Sequence, residues 1–292
     1  MEYPKALGLR EILAHPGFPD CLASNADTLL ALNRGHPNVV RYLADSRRWM
    51  LTQAMLALHF EHARDARRAP VSPGEMLRVL QGTRIASRNT VLSFLQEARK
   101  YDLIQPLGCE DRRRHDFRAT PRALALFRLW FDPHLKALDL LDGGGRLALS
   151  QQRPEALGLA QPLLAAEMLR RPAWRTPSPA IALFTRAVTG SNILHEIAAR
   201  ARPGQGRDRI WIGPVTSTGI AARQMISQSH VSRLLSRARA AGLIGWERRG
   251  NRGDCWVSAG LLREYRDWQA IKFRAISVGF AWTIRGIVRA RA

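Results

Sequence analysis

Two runs of polar and basic residues hold side chains suited to reading a nucleic-acid base edge. The first contains Arg88, Asn89, Ser93, Gln96 and Lys100. The second contains Gln228, Ser229, Arg233 and Ser236. Asparagine and glutamine amides pair with adenine through two hydrogen bonds, a guanidinium does the same with guanine, and serine adapts to either. An arginine cluster follows each run: Arg112, Arg113 and Arg114 after the first, Arg248, Arg249 and Arg252 after the second. Clusters of this kind suit phosphates and the concentrated negative potential of a narrow minor groove. Such contacts supply affinity and register, while base-edge contacts specify sequence.

Other chemistry has little footing. His195-Glu196 lacks the second histidine of a zinc-protease helix. His59 and His62 fall near one helix face, where an isolated pair reads as structural before it reads as a metal site. Gly143-Gly144-Gly145 and Gly204-Gln205-Gly206 lack the strand, the helix and the Lys-Ser/Thr pair of a phosphate cradle. No serine-centred nucleophile motif stands out. The expectation is a binding protein rather than an enzyme, with no cofactor and no metal.

The elements that must position the two runs come from an internal repeat. Residues 85–104 align without a gap on residues 225–244, an offset of 140. Ser87/Ser227, Val91/Val231, Leu95/Leu235, Ala98/Ala238, Arg99/Arg239, Leu103/Leu243 and Ile104/Ile244 are identities. In each copy a serine suited to an N-cap precedes one apolar stripe, at 91, 94, 95 and 98 or at 231, 234, 235 and 238. Gly242 suits a helix C-terminus, and Asp102 stands in the equivalent place. The polar runs fall opposite the stripe. A basic turn and a second short β-prone stretch follow, predicting a hairpin. Short helices are expected ahead of the capped ones, over Pro73 to Leu80 and Ser217 to Arg223. Helix, turn, helix and basic hairpin make the winged-helix order.

The stretch from Asp102 to Ala123 resembles the wing region of MarR-type bacterial transcription regulators. Asp111-Arg112-Arg113 matches the Asp-x-Arg wing motif of that family, and Thr120-Pro121-Arg122 matches its strand exit. Ala123 stands where the family prefers glycine, and Ser258-Ala259-Gly260 is a looser match without the Asp-x-Arg. The resemblance implies that Asp111 orients a wing arginine, that flanking helices dimerise, and that a small-molecule effector is sensed.

Composition fits a polyanionic partner. Against 24 Asp and Glu stand 45 Lys and Arg, mostly arginine, and the net charge of +21 points first to nucleic acid. The three cysteines, Cys21, Cys109 and Cys255, have neither metal-ligand spacing nor a disulfide framework. With no export signal and no apolar run of spanning length, the expected location is cytoplasmic and nucleoid-associated, away from membranes.

The fold expected is mainly α with small β-hairpin wings, as two winged helix-turn-helix units in tandem with flanking helices. Asp142-Gly143-Gly144-Gly145-Arg146 reads as a flexible joint between units at 1–143 and 146–292. Flanking helices are expected over 24–45, 121–141, 155–171 and 261–288. In the last of these Leu261, Tyr265, Trp268, Ile271, Ala275, Val278 and Trp282 make a packing stripe. The function expected is a transcriptional regulator that binds double-stranded DNA as a monomeric pseudodimer or a homodimer. The alternatives are a plasmid-type replication initiator and a winged-helix module that binds protein.

Overall fold

Apolar residues at helical spacing, behind serine and threonine caps, make helix the dominant element. The computed structural model describes residues 3–43, 45–108, 115–201 and 208–289. Among these the chain forms, in order, α1 (Leu9–Ala14), α2 (Phe18–Gly35), α3 (Pro37–Leu43), α4 (Ser46–Arg64), α5 (Pro73–Val79), α6 (Arg88–Lys100), β1 (Ile104–Pro106), β2 (Phe117–Ala119) and α7 (Pro121–Asp142). Then come α8 (Arg146–Gln152), α9 (Glu155–Arg170), α10 (Pro172–Arg175), α11 (Pro179–Thr185), α12 (Gly190–Ala199) and β3 (Arg209–Pro214). The chain ends with α13 (Ser217–Gln224), α14 (Gln228–Ala240), β4 (Ile244–Arg248), β5 (Arg252–Ser258) and α15 (Ala259–Arg289). The result is a mainly helical protein with small antiparallel sheets. Among the described residues no helix is long and apolar enough to cross a membrane.

Two compact units divide the chain, and neither is continuous in sequence. The first takes residues up to 9, 47–175 and from 272 onward; the second takes 10–46 and 176–271. This differs from the contiguous halves at 1–143 and 146–292 expected above. The 31 residues of α15 span about 46 Å at 1.5 Å per residue, longer than a domain of this size needs from one helix. Its first half serves the second unit and its second half the first.

The glycine run at 143–145 is a structured turn inside the first unit. Gly143 ends α7 and Gly145 precedes α8, both left-handed, at φ 65° and 64°. Arg146 is fully buried beneath them. Its guanidinium donates to both Asp142 oxygens at 2.5 and 2.7 Å, to Asp139 Oδ1 at 3.2 Å and to the Lys5 carbonyl at 2.9 Å. Burial works against the Asp142 carboxylate, but the Arg146 hydrogen bond and charge hold its pKa below the ordinary value. The flexible joint read from composition is therefore corrected: a buried, doubly paired arginine cannot leave its carboxylates without stranding charge.

The apolar stripe of α15 is also more than one stripe. Leu261, Tyr265, Trp268, Ile271 and Ala275 are buried, Val278 is half-buried, and Trp282 is 64% exposed. A helix shared by two units buries different faces along its length, so a single periodicity does not hold to its end.

In the first unit β1 pairs with β2, Ile104 opposite Ala119, and Val71 adds a bridge to Phe117. In the second, β5 lies between β3 and β4, with Ile244 and Ile210 both opposite Val257. Alternation along these strands sends Ile210, Ile212, Ile244, Cys255 and Val257 inward. Burial pushes the Cys255 thiol up to about 12, which keeps it protonated.

Candidate nucleic-acid interface

The helices that carry the two polar runs are built by identical backbone devices. Both α6 and α14 have 13 residues. The Ser87 hydroxyl accepts from the Thr90 N–H, and the Ser227 hydroxyl from the His230 N–H, both at 3.3 Å. At the far end the Leu103 N–H donates to the Ala98 carbonyl and the Leu243 N–H to the Ala238 carbonyl. Asp102 and Gly242 turn the chain left-handed there, at φ 55° and 68°. This is a Schellman motif in both copies. Beneath each helix Val91, Phe94, Leu95 and Ala98, or Val231, Leu234, Leu235 and Ala238, are buried as the stripe predicts. Fully burying a residue such as Leu95 or Leu235 contributes about 1.5–3 kcal/mol to holding the opposite face outward.

That outward face holds the expected side chains. Arg88, Asn89, Ser93, Gln96 and Lys100 are all exposed on α6. Gln228, Ser229, Arg233 and Ser236 are all exposed on α14. Arg233 Nε donates to the Ser229 carbonyl one turn back at 3.3 Å, which folds the guanidinium along its own helix. No side chain of the α6 set hydrogen-bonds another described residue.

The two hairpins differ. The tip of the first, with Asp111, Arg112, Arg113 and Arg114, lies outside the described residues, so only its stem at β1 and β2 is placed. In the second, Arg248, Arg249 and Arg252 are all exposed around a tight turn at Gly250 and Asn251, both left-handed. Arg239, in the last turn of α14, donates through Nη1 to Asn251 Oδ1 at 2.7 Å. That bond fastens the polar helix to the arginine-bearing tip, so within the second unit the two predicted groups are brought together. Arg239 was visible in the sequence only as an identity with Arg99; its partner in the turn was not.

Several further residues carry no local signal in the sequence. Arg209 stacks its guanidinium 4.5 Å above the Trp256 ring on the outer face of the second sheet, beside the half-exposed Trp211. Trp256 covers Gly245, where any side chain would collide with the indole. Behind α14, Glu196 of α12 acts as a hub. Its carboxylate accepts from Arg223 Nε at 2.8 Å and Nη2 at 2.5 Å, from Arg200 Nη2 at 2.9 Å and from Gln224 Nε2 at 3.0 Å. Gln224 in turn accepts from Asn33 Nδ2 at 2.8 Å. The hub ties α13, the helix preceding α14, to α12 and α2. In the sequence Glu196 stands out only beside His195, because its partners are 27 or more residues away except for Arg200.

The two histidines of α4 have separate backbone partners. His59 Nδ1 accepts from the Ala119 N–H at 3.3 Å, and His62 Nδ1 lies 2.6 Å from the Arg68 carbonyl. Burial, then the charges of His62 and Arg118, lower the His59 pKa and favour the neutral ring that can accept. No cluster of three or more His, Cys, Asp or Glu suited to a metal occurs among the described residues. Compared with models of protein families, with curated proteins and with solved structures, the chain matches none.

Proposed function

We propose that the chain is a sequence-specific, double-stranded DNA-binding transcriptional regulator built from two winged-helix units, similar in kind to the MarR-type regulators. In this reading α6 and α14 enter major grooves and the basic hairpins follow the adjoining minor groove or phosphates. The observation that carries it is the second unit: a capped helix with Gln228, Ser229, Arg233 and Ser236 outward, bonded through Arg239 and Asn251 to a tip carrying Arg248, Arg249 and Arg252. The net charge of +21 supports it. Binding, not catalysis, is the role assigned.

The division of labour follows from chemistry. Arg233 reads one base pair, while Arg248, Arg249 and Arg252 neutralise phosphate. The outward residues of α6 and α14 differ at nearly every position, so one chain recognises two unlike half-sites and its target is asymmetric. Light scattering with DNA of defined length gives the number of chains per site, one for a pseudodimer.

Selection of bound sequences from a random duplex pool tests the reading. An asymmetric two-part motif is expected. Arg233→Ala then relaxes preference at one base pair by about 1–3 kcal/mol, and Arg249→Ala weakens binding to every sequence while flattening its salt dependence. Enrichment of no motif, with binding to duplex that is weak and indifferent to salt, refutes the proposal.

A further inference from the structure

The sheet of the second unit has two faces of opposite character. Ile210, Ile212, Ile244 and Val257 are buried on the inner face, and α14 packs against β4. Alternation sends Arg209, Trp211 and Trp256 to the outer face. Trp211 and Trp256 stand directly opposite one another. Trp256 covers Gly245 of β4, where an added side chain would collide with the indole. Trp211 lies on β3, an outer strand of the sheet, and is 41% exposed. The unit thus leaves a large aromatic surface open to solvent where burial would be favourable.

Beside that indole stands a cation held in place and left unpaired. Arg209 lies two residues before Trp211 on the same strand, and its guanidinium sits 4.5 Å from the centre of the Trp256 ring. It has no hydrogen bond or ion pair to a described residue, so its N–H donors stay free while the stack positions them. Residues two apart on a strand have Cα atoms about 6.6 Å apart, within the span of one nucleotide. Acidic groups on these strands lie toward the hairpin tip. Glu247 pairs with Arg248 at 3.8 Å, and Asp254 stands opposite Pro214. Asp208 adjoins Arg209 in the chain but makes no ion pair with it. From Asp208 to Ser258 eight arginines stand against three acidic residues, which suits a polyanion.

The first hairpin lacks this surface. Ile104 opposite Ala119 has the register of Ile244 opposite Val257, which puts Arg118 in the place of Trp256 and Gln105 in the place of Gly245. A hairpin of this kind therefore does not itself require an indole there. The glycine that makes room for one is particular to the second unit.

We propose that this outer face binds single-stranded nucleic acid, with an unpaired base stacked on Trp211 and its phosphate paired with Arg209. Every base has a π-face, so the contact tolerates any sequence. A duplex has its bases stacked on one another and offers such a face only at its ends. The outer face is also distinct from the outward side chains of α14, so the proposal does not rest on the duplex-reading role of that helix.

Fluorescence anisotropy on the full chain tests it, with labelled twelve-residue oligothymidylate and an abasic strand of equal length and charge as probes. The oligothymidylate is expected to bind about tenfold more tightly than the abasic strand. Trp211→Ala should erase that difference, Trp211→Phe should keep most of it, and neither should alter the affinity for a duplex. Arg209→Gln removes one phosphate contact and should reduce the slope of log affinity against log salt by about 0.7. Oligouridylate run beside oligothymidylate distinguishes RNA from DNA as the strand held; binding of either that depends on Trp211 supports the proposal. Circular dichroism identifies a variant that does not fold, in which case the abasic comparison and Arg209→Gln decide. Equal affinity for the two probes, or oligothymidylate binding indifferent to Trp211→Ala, overturns the proposal. So does a dimer that Trp211→Ala splits without weakening oligothymidylate, which would make the face an interface between copies. The abasic comparison needs no duplex, so its failure is separate from failure of the regulator reading.

Discussion

The copies around α6 and α14 share their backbone devices and differ in what anchors them. Each polar helix begins on a serine cap, ends in a Schellman turn and sits on the same four-residue apolar stripe. The helix ahead of it is held in two unlike ways. In the second unit the buried Glu196, with a side chain only 7% exposed, gathers Arg200, Arg223 and Gln224. In the first, α5 carries a surface pair, Arg78 with Glu75 of its own first turn. The turn after it is held by Arg175, whose Nη1 donates to the Thr83 carbonyl at 2.6 Å. Local devices repeat because they depend only on neighbouring residues. Anchors vary because each must meet whatever the rest of its own unit offers.

The largest expected effect attacks that contrast directly. Glu196→Ala strands two arginines and a glutamine and should cost about 2–3 kcal/mol in urea unfolding. Glu75→Ala removes an exposed pair and should cost under about 0.5 kcal/mol. Equal losses would erase the distinction between hub and surface pair.

The shared devices should respond alike. Ser87→Ala and Ser227→Ala each remove one cap bond and should each cost about 1 kcal/mol. A loss confined to one copy would show that the caps are equivalent in geometry but not in energy. The left-handed turn sharpens the comparison further, because the same conformation is occupied by different residues. Asp102→Gly should stabilise by about 0.5–1 kcal/mol by relieving a side chain from φ 55°, while Gly242→Ala should destabilise by about 1 kcal/mol. Thermal melts of the two variants read the opposite signs.

The smallest effect belongs to the first unit alone. His59 has a lowered pKa when folded, so the unfolded chain binds its proton more readily. Stability from this group is complete above its ordinary value of 6.5 and falls as pH drops from there through the folded value. His59→Gln should flatten that portion of the stability curve between neutral and mildly acid pH. An unchanged slope would mean that burial and the neighbouring charges do not lower the His59 pKa in the folded chain.

Local order was legible wherever the deciding groups are close in sequence. The bounds of α6 and α14, their caps, their apolar stripes and the short helices ahead of them follow from residues within about four positions of one another. The exposure of all nine candidate base-reading residues follows as well, since a buried stripe determines the opposite face. Composition misled at Gly143–Gly145. Glycines there suggested freedom, but Gly143 ends one helix and Gly145 precedes the next, both left-handed, and Arg146 beneath them finds Asp139, Asp142 and the distant Lys5 carbonyl.

By itself, then, the sequence determined the repeated helices, the side chains they present and the arginine-rich hairpin that follows, because propensity, capping and periodicity act over a few residues. Only the tertiary structure decided that residues 10–46 join the second unit and residues from 272 onward join the first. It alone placed Arg239 on Asn251 and Arg223 on Glu196. These depend on which surfaces bury apolar area and satisfy charge together, and groups 12 to 191 residues apart carry no mark of that partnership in their local order.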